Sequence, residues 1–156
     1  MIIVRRKSNG IISRLICWFT GEEWSHVGYL SEGKVYHADF LGSRIVSKAN
    51  FIKGCRWEMR MYRTTHVQNA DMTARALKYL KKFYDIPLIF YFIAYYSLLK
   101  LGIKTKRQEI NPRWRVCSEY THKVVYDADE SLTPGEFIAK IDRDYTLISK
   151  TQGGKL

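Results

Sequence analysis

The chain has 156 residues, 46% hydrophobic and 14% aromatic, with 26 Lys and Arg against 15 Asp and Glu, a formal net charge of +11 and a pI of about 9.6. That length fits one domain, and the apolar content is enough for a full core. Three cysteines, Cys17, Cys55 and Cys117, are too few and odd in number, which excludes a disulfide framework and fits synthesis in a reducing cytosol.

The charge is uneven: residues 1–115 hold 21 Lys and Arg against 8 Asp and Glu, whereas residues 116–156 hold 5 against 7. A basic surface points to an anionic partner such as a cell-wall polymer, phospholipid or nucleic acid. No Walker loop, dinucleotide fingerprint or nucleic-acid reader motif is present, so nucleic acid is the weakest of these. The order Met1-Ile2-Ile3-Val4 then Arg5-Arg6-Lys7 reverses the charge order of a signal peptide.

In chain order, Ile11, Ile12, Leu15, Ile16 and Phe19 recur at helical spacing and predict a short helix over 10–19, ended by Thr20-Gly21. Strands are expected near 26–31, 34–40 and 43–47, the first two a hairpin about Ser31-Glu32-Gly33. Residues 55–63 alternate, with Trp57, Met59 and Met61 on one face and Arg56, Glu58 and Arg60 on the other, a half-buried strand. A helix is expected over 68–84, capped by Asn69 or Asp71. The apolar run 88–101 falls short of the ~20 residues that span a bilayer. It reads as a buried helix, or as a lipid-facing or cleft-rim wall. A basic loop over 100–115 follows, then a helix over 117–128 and another over 134–141 opened by Thr133-Pro134. A last strand near 144–149 leaves 151–156 as a flexible tail, so the domain is expected over 1–150.

Cys117 opens the helix over 117–128, where the helix dipole favours thiolate. His26 and His37 sit on the two hairpin strands, so an imidazole can take the thiol proton and a second group can hold that imidazole. A core cysteine and core histidines are the plain alternative. A zinc site from the same three residues lacks close ligand spacing, and no cofactor is expected. His122, five residues past Cys117, turns roughly 140° away and reads as a surface residue. His66 has no role.

Thr20-Gly21 with Ser25-His26-Val27-Gly28, then Val35-Tyr36-His37-Ala38, then Cys117-Ser118-Glu119-Tyr120 give the order His, His, Cys. That order resembles the circularly permuted branch of the NlpC-like, papain-like superfamily, over about residues 1 to 127. The branch holds bacterial hydrolase-like proteins, viral proteins and the lecithin:retinol acyltransferase-like enzymes. The resemblance implies an α+β fold, a small antiparallel sheet packed against helices with the nucleophile at a helix N-terminus. Cys117 would be the nucleophile, His26 the base and then acid, and His37 the orienting group. The Gly-Asp turn that often precedes the first strand is missing here, and His37 stands where glutamate is common. Val116-Cys117-Ser118-Glu119 departs from the Asn-Cys-Glu-His pattern of the acyltransferase-like branch.

The expected function is that of a cysteine hydrolase cleaving an amide or ester bond, in a cell-wall peptide. The alternatives are a lipid acyl hydrolase or acyltransferase, and a non-enzymatic viral or phage module that reuses the fold. Ser25, Ser118 and Glu119, beside the thiol, and Lys104, Lys106 and Arg107 in the basic loop are the expected substrate contacts. The partner would be an anionic substrate such as a cell-wall peptide, or a lipid surface. A small basic chain of this kind also fits a phage-encoded or virion-associated protein.

Overall fold

The computed structural model describes residues 1–6, 11–39, 41–80, 83–84, 86–103 and 114–154. The β-branched start of the chain forms strand β1 (Ile2–Arg6), and the apolar-periodic segment after it forms helix α1 (Ile11–Thr20). Strands β2 (Trp24–Ser31), β3 (Lys34–Asp39) and β4 (Gly42–Ser47) follow as a meander. The β2–β3 hairpin turns at Glu32-Gly33, both at positive φ. A one-and-a-half-turn helix, α2 (Lys48–Ile52), begins where the Ser47 side chain accepts from Asn50 N–H at 3.2 Å.

Then come β5 (Trp57–Tyr62), α3 (His66–Lys78), β6 (Phe83–Tyr84), α4 (Ile86–Lys100), β7 (Trp114–Arg115), α5 (Cys117–Tyr126), α6 (Pro134–Asp144) and β8 (Leu147–Gly153). The fold is α+β. Six strands form one antiparallel sheet in the order β4-β3-β2-β1-β5-β8, and β6 and β7 form a separate parallel pair. The first strand therefore lies inside the sheet, between β2 and β5.

The two faces of the sheet differ. One carries Ile2, Val27, Tyr29, Tyr36, Ala38 and Tyr62 and is covered by Met72 and Ala76 of α3, Tyr120 and Val124 of α5, and Phe137 and Ile141 of α6. The other carries Leu30 and Val35 under Phe51 of α2, with Trp57 and Met59 partly buried beside them. The main core is therefore on the first face, and the second has a thin cover.

Several expectations change. The helix expected over 68–84 starts earlier and ends at Lys78, because Thr65 and Gln68 form a reciprocal capping box that outcompetes Asn69 and Asp71. In β5 the alternation is as expected, but Glu58, Arg60 and Tyr62 take the deeper face. Partners from distant segments make this possible. Arg60 Nη1 and Tyr62 both donate to Asp142 of α6, Arg60 Nε donates to Glu58 at 2.5 Å, and Gln152 of β8 donates to Glu58 at 2.7 Å. The tail expected to be free from 151 instead extends β8, with Thr151, Gln152 and Gly153 opposite Met59, Glu58 and Trp57. An available strand edge satisfies that backbone. Residues 155–156 lie outside the described residues, as do Lys104, Lys106 and Arg107 of the basic loop.

The apolar run forms α4, but its described side chains are not a buried core. Phe90, Ala94, Leu99 and Lys100 are exposed and Tyr91, Tyr95 and Tyr96 are half-buried. Among the described residues no helix is long and apolar enough to cross a membrane.

Candidate active site

Residues 26, 28 and 30 of β2 and 35, 37 and 39 of β3 share one face by strand alternation. This brings the imidazoles of His26 and His37 together: His26 Nε2 lies 2.9 Å from His37 Nδ1. Both rings pack against Phe51, at centroid separations of 5.4 and 5.2 Å. His37 is buried and His26 half-buried. Between neutral rings at this distance one nitrogen donates and the other accepts.

Gly28 makes the pairing sterically possible. A Cβ there would come within 2.7 Å of Val35 Cγ1 and 3.3 Å of His37 Cβ. A glycine inside a strand pattern is a sequence signal for such close approach. Phe51 is the residue that sequence reasoning missed, although Ser47 followed by Lys48-Ala49-Asn50 was a readable helix start.

Cys117 occupies the first position of α5, as its place in the sequence predicts. It clusters with Val27, Tyr29, Tyr36 and Tyr120, on the face opposite Phe51. The ladder between β2 and β3 runs from Ser31–Lys34 to Tyr29–Tyr36. Val27 lies two residues beyond it, and its N–H donates to the Cys117 sulfur. Thiol and imidazoles thus approach the same short stretch of β2 from its two sides.

The thiol does not follow the expectation of a ready thiolate. Cys117 is only 4% exposed, and burial pushes its pKa up to about 11. The backbone N–H groups of Val27, Ser118 and Cys117 itself pull the other way, and the Glu119 carboxylate adds to the rise. Removal of water outweighs the helix end here, so the resting group is a thiol.

Three expected substrate contacts are buried. Ser118 is buried, and its hydroxyl donates to the Leu132 carbonyl, tying the start of α5 to the segment before α6. Glu119 is fully buried, and its carboxylate accepts from the Val116 N–H at 3.3 Å. Because valine has no capping oxygen, Glu119 supplies the helix start from the third position. Ser25 is buried at a bulge of β2, where Arg5 pairs with His26 and Arg6 with Trp24.

His122 is likewise not a surface residue. It is 1% exposed, its Nδ1 lies 3.0 Å from the Ala128 carbonyl, and its ring stacks on Tyr126. Its Nε2 is 3.1 Å from Glu130, while burial lowers its pKa. The packing of α6 covers this side of α5, which helical angle alone does not reveal. Cys17 and Cys55 are buried free thiols, Cys55 directed at the Ile52 carbonyl at 3.3 Å. Among the described residues no group of three or more His, Cys, Asp or Glu could hold a metal ion.

No protein-family model matches the chain, and no curated protein matches it. Among solved structures it is similar to the metalloprotein yiiX of Escherichia coli O157:H7, described as DUF1105. The two share 16% identity over 99% of this chain and 96% of that chain, with a TM-score of 0.57. At that identity the likeness is one of fold, and it extends over nearly the full length of both chains.

Proposed function

We propose that the chain is a permuted papain-like cysteine hydrolase that cleaves an amide or ester bond, with a cell-wall peptide as its substrate. The observation that carries this reading is the His26–His37 contact at 2.9 Å on a strand whose next N–H, at Val27, holds the sulfur of Cys117. The order and types of these groups suit a nucleophile, a base and an orienting group. His37 would hold the His26 ring in place through its contact with Nε2.

Sulfur attack on the acyl carbon would form the C–S bond while the thiol proton passes to His26 past the end of the β2–β3 ladder, which stops at Tyr29–Tyr36. The oxyanion would be held by the Cys117 N–H and neighbouring donors. Collapse would break the C–N or C–O bond, with His26 returning the proton to the departing amine or alcohol. Water, deprotonated by His26, would then cleave the thioester and restore the thiol. A resting thiol suits this scheme, because the base need act only when substrate is bound.

An alternative within the same chemistry is hydrolysis or transfer of a lipid acyl chain, favoured by the exposed apolar side chains of α1 and α4. Incubation of wild-type and Cys117→Ala protein with muropeptides and, separately, with phospholipid, followed by mass spectrometry of the products, tests both. Cleavage of a peptide amide by wild type alone supports the leading reading. Release of fatty acid alone moves the substrate to lipid, and no turnover of either leaves a non-enzymatic use of the fold.

A further inference from the structure

We infer that the α1–α4 face docks the protein onto the surface of an anionic lipid bilayer. The inference rests on no catalytic assignment. Trp18 and Leu15 project from α1, and Phe90, Leu99, Leu101 and Ile103 from α4 and the turn after it; all six are exposed. Trp18 is 64% exposed, Phe90 67% and Leu101 74%, far more than isolated surface apolar residues need be.

The two helices pack on one another, and Lys100 joins them. Its Nζ donates to the Trp18 carbonyl at 2.9 Å and lies 4.9 Å from the Trp18 ring centroid. Trp18 and the C-terminal end of α4, with Leu99 and Leu101, therefore sit together, and Phe90 lies further back along the same helix. Apart from Lys100, α4 has no charged residue on any side. An apolar helix left at the surface needs an apolar medium to cover it.

The charge on this face selects the medium. Residues 11–20 and 86–103 contain no Asp or Glu, while Arg14 and Lys100 are exposed beside the apolar side chains. The whole chain carries +11. Exposed Trp, half-buried Tyr91, Tyr95 and Tyr96, and cations at the margin are the residue types that settle at a headgroup boundary. At 15 residues α4 is ~22 Å long, too short to span a ~30 Å hydrocarbon core, so it would lie in the interface plane.

Flotation of the full chain tests this, using vesicles of phosphatidylcholine and vesicles with about one-third phosphatidylglycerol. The protein should float with the anionic vesicles, about tenfold or more better than with the neutral ones. Binding should weaken but persist from about 0.1 M to about 1 M salt, because screening removes only the charge contribution. Trp18→Ser with Leu101→Ser should lower partitioning by about tenfold or more, and Phe90→Ser alone by less. Arg14→Gln should lower it roughly fivefold on anionic vesicles only. Cys117→Ala should float like wild type, which separates docking from catalysis. These apolar positions are exposed, so circular dichroism should show unchanged folding. Absence of flotation on any vesicle overturns the inference, as does flotation indifferent to Trp18→Ser with Leu101→Ser. Lipid-free self-association that Leu101→Asp abolishes, measured by sedimentation velocity, reassigns the face to a second copy of the chain and also overturns it.

Discussion

His26 Nε2 and His37 Nδ1 lie 2.9 Å apart on neighbouring strands, with the Phe51 ring against both imidazoles. The contact joins Nε2 of His26 to Nδ1 of His37, so each ring orients the other. Cys117→Ala and His26→Ala should each remove nearly all turnover, and the double variant should be little worse, because members of one catalytic unit are non-additive. His37→Ala should leave more residual activity, because it acts only through His26. Steady-state rates of the four proteins on one cleavable amide or ester check this. Full activity of His26→Ala would remove the base from the scheme.

Burial of Cys117 makes a pH prediction with a definite sign. Its pKa rises from 9.0 to about 11 in the folded protein. An unfolded chain releases this proton near pH 9 and the folded chain near 11, so the associated stability is complete below pH 9 and is lost as pH rises through 11. The full effect is on the order of 2–3 kcal/mol. Buried tyrosines, Tyr120 among them, also have raised values and add to the alkaline loss. The comparison with Cys117→Ala isolates the thiol: its melting temperature should fall less steeply between pH 9 and 11. Alkylation of native Cys117 should be slow at pH 7. A wild type and variant with parallel curves, together with fast labelling at neutral pH, would show that the thiolate is already formed.

Gly28→Ala tests the spacing behind the imidazoles. The new methyl meets Val35 Cγ1 at 2.7 Å and His37 Cβ at 3.3 Å, so β3 or the His37 side chain must move. Overpacking of this kind costs about 1–3 kcal/mol. Turnover should fall by more than the lost folded fraction explains, since a shift of Val35 carries its β3 neighbour His37 with it. Chemical denaturation and turnover measured on the same preparation separate the two effects.

Arg60 tests the charged side of β5. Glu58 is fully buried and is met by Arg60, by Gln152 at 2.7 Å and by Lys150 at 3.2 Å. Burial alone would raise its pKa, but hydrogen bonds from Arg60 and Lys150 overcome this and hold it below the usual carboxylate value. Its stabilising contribution is therefore present at neutral pH and lost as pH falls through the folded value. Arg60→Met leaves that carboxylate and Asp142 short of a partner and should destabilise by about 3 kcal/mol, whereas adding Glu58→Gln should recover part of the loss. Urea midpoints of the single and double variants measure the coupling.

Local chemistry alone determined much of this protein. Thr133-Pro134 opens α6, Glu32-Gly33 turns the first hairpin, and Cys117 starts α5, each because one or two residues satisfy a local backbone requirement. The placing of His26 and His37 on paired strands follows from the same hairpin. Tertiary structure decided what faces what. Glu58 and Arg60 turn inward because Asp142 and Gln152, more than 80 residues away, supply their partners. His122 is buried because α6 folds over α5, and Phe90, Ala94 and Leu99 of α4 are exposed although the helix composition suits a core. Cys117 is a thiol at rest because the helices on one side of the sheet exclude water from it, a many-body effect that no local spacing encodes.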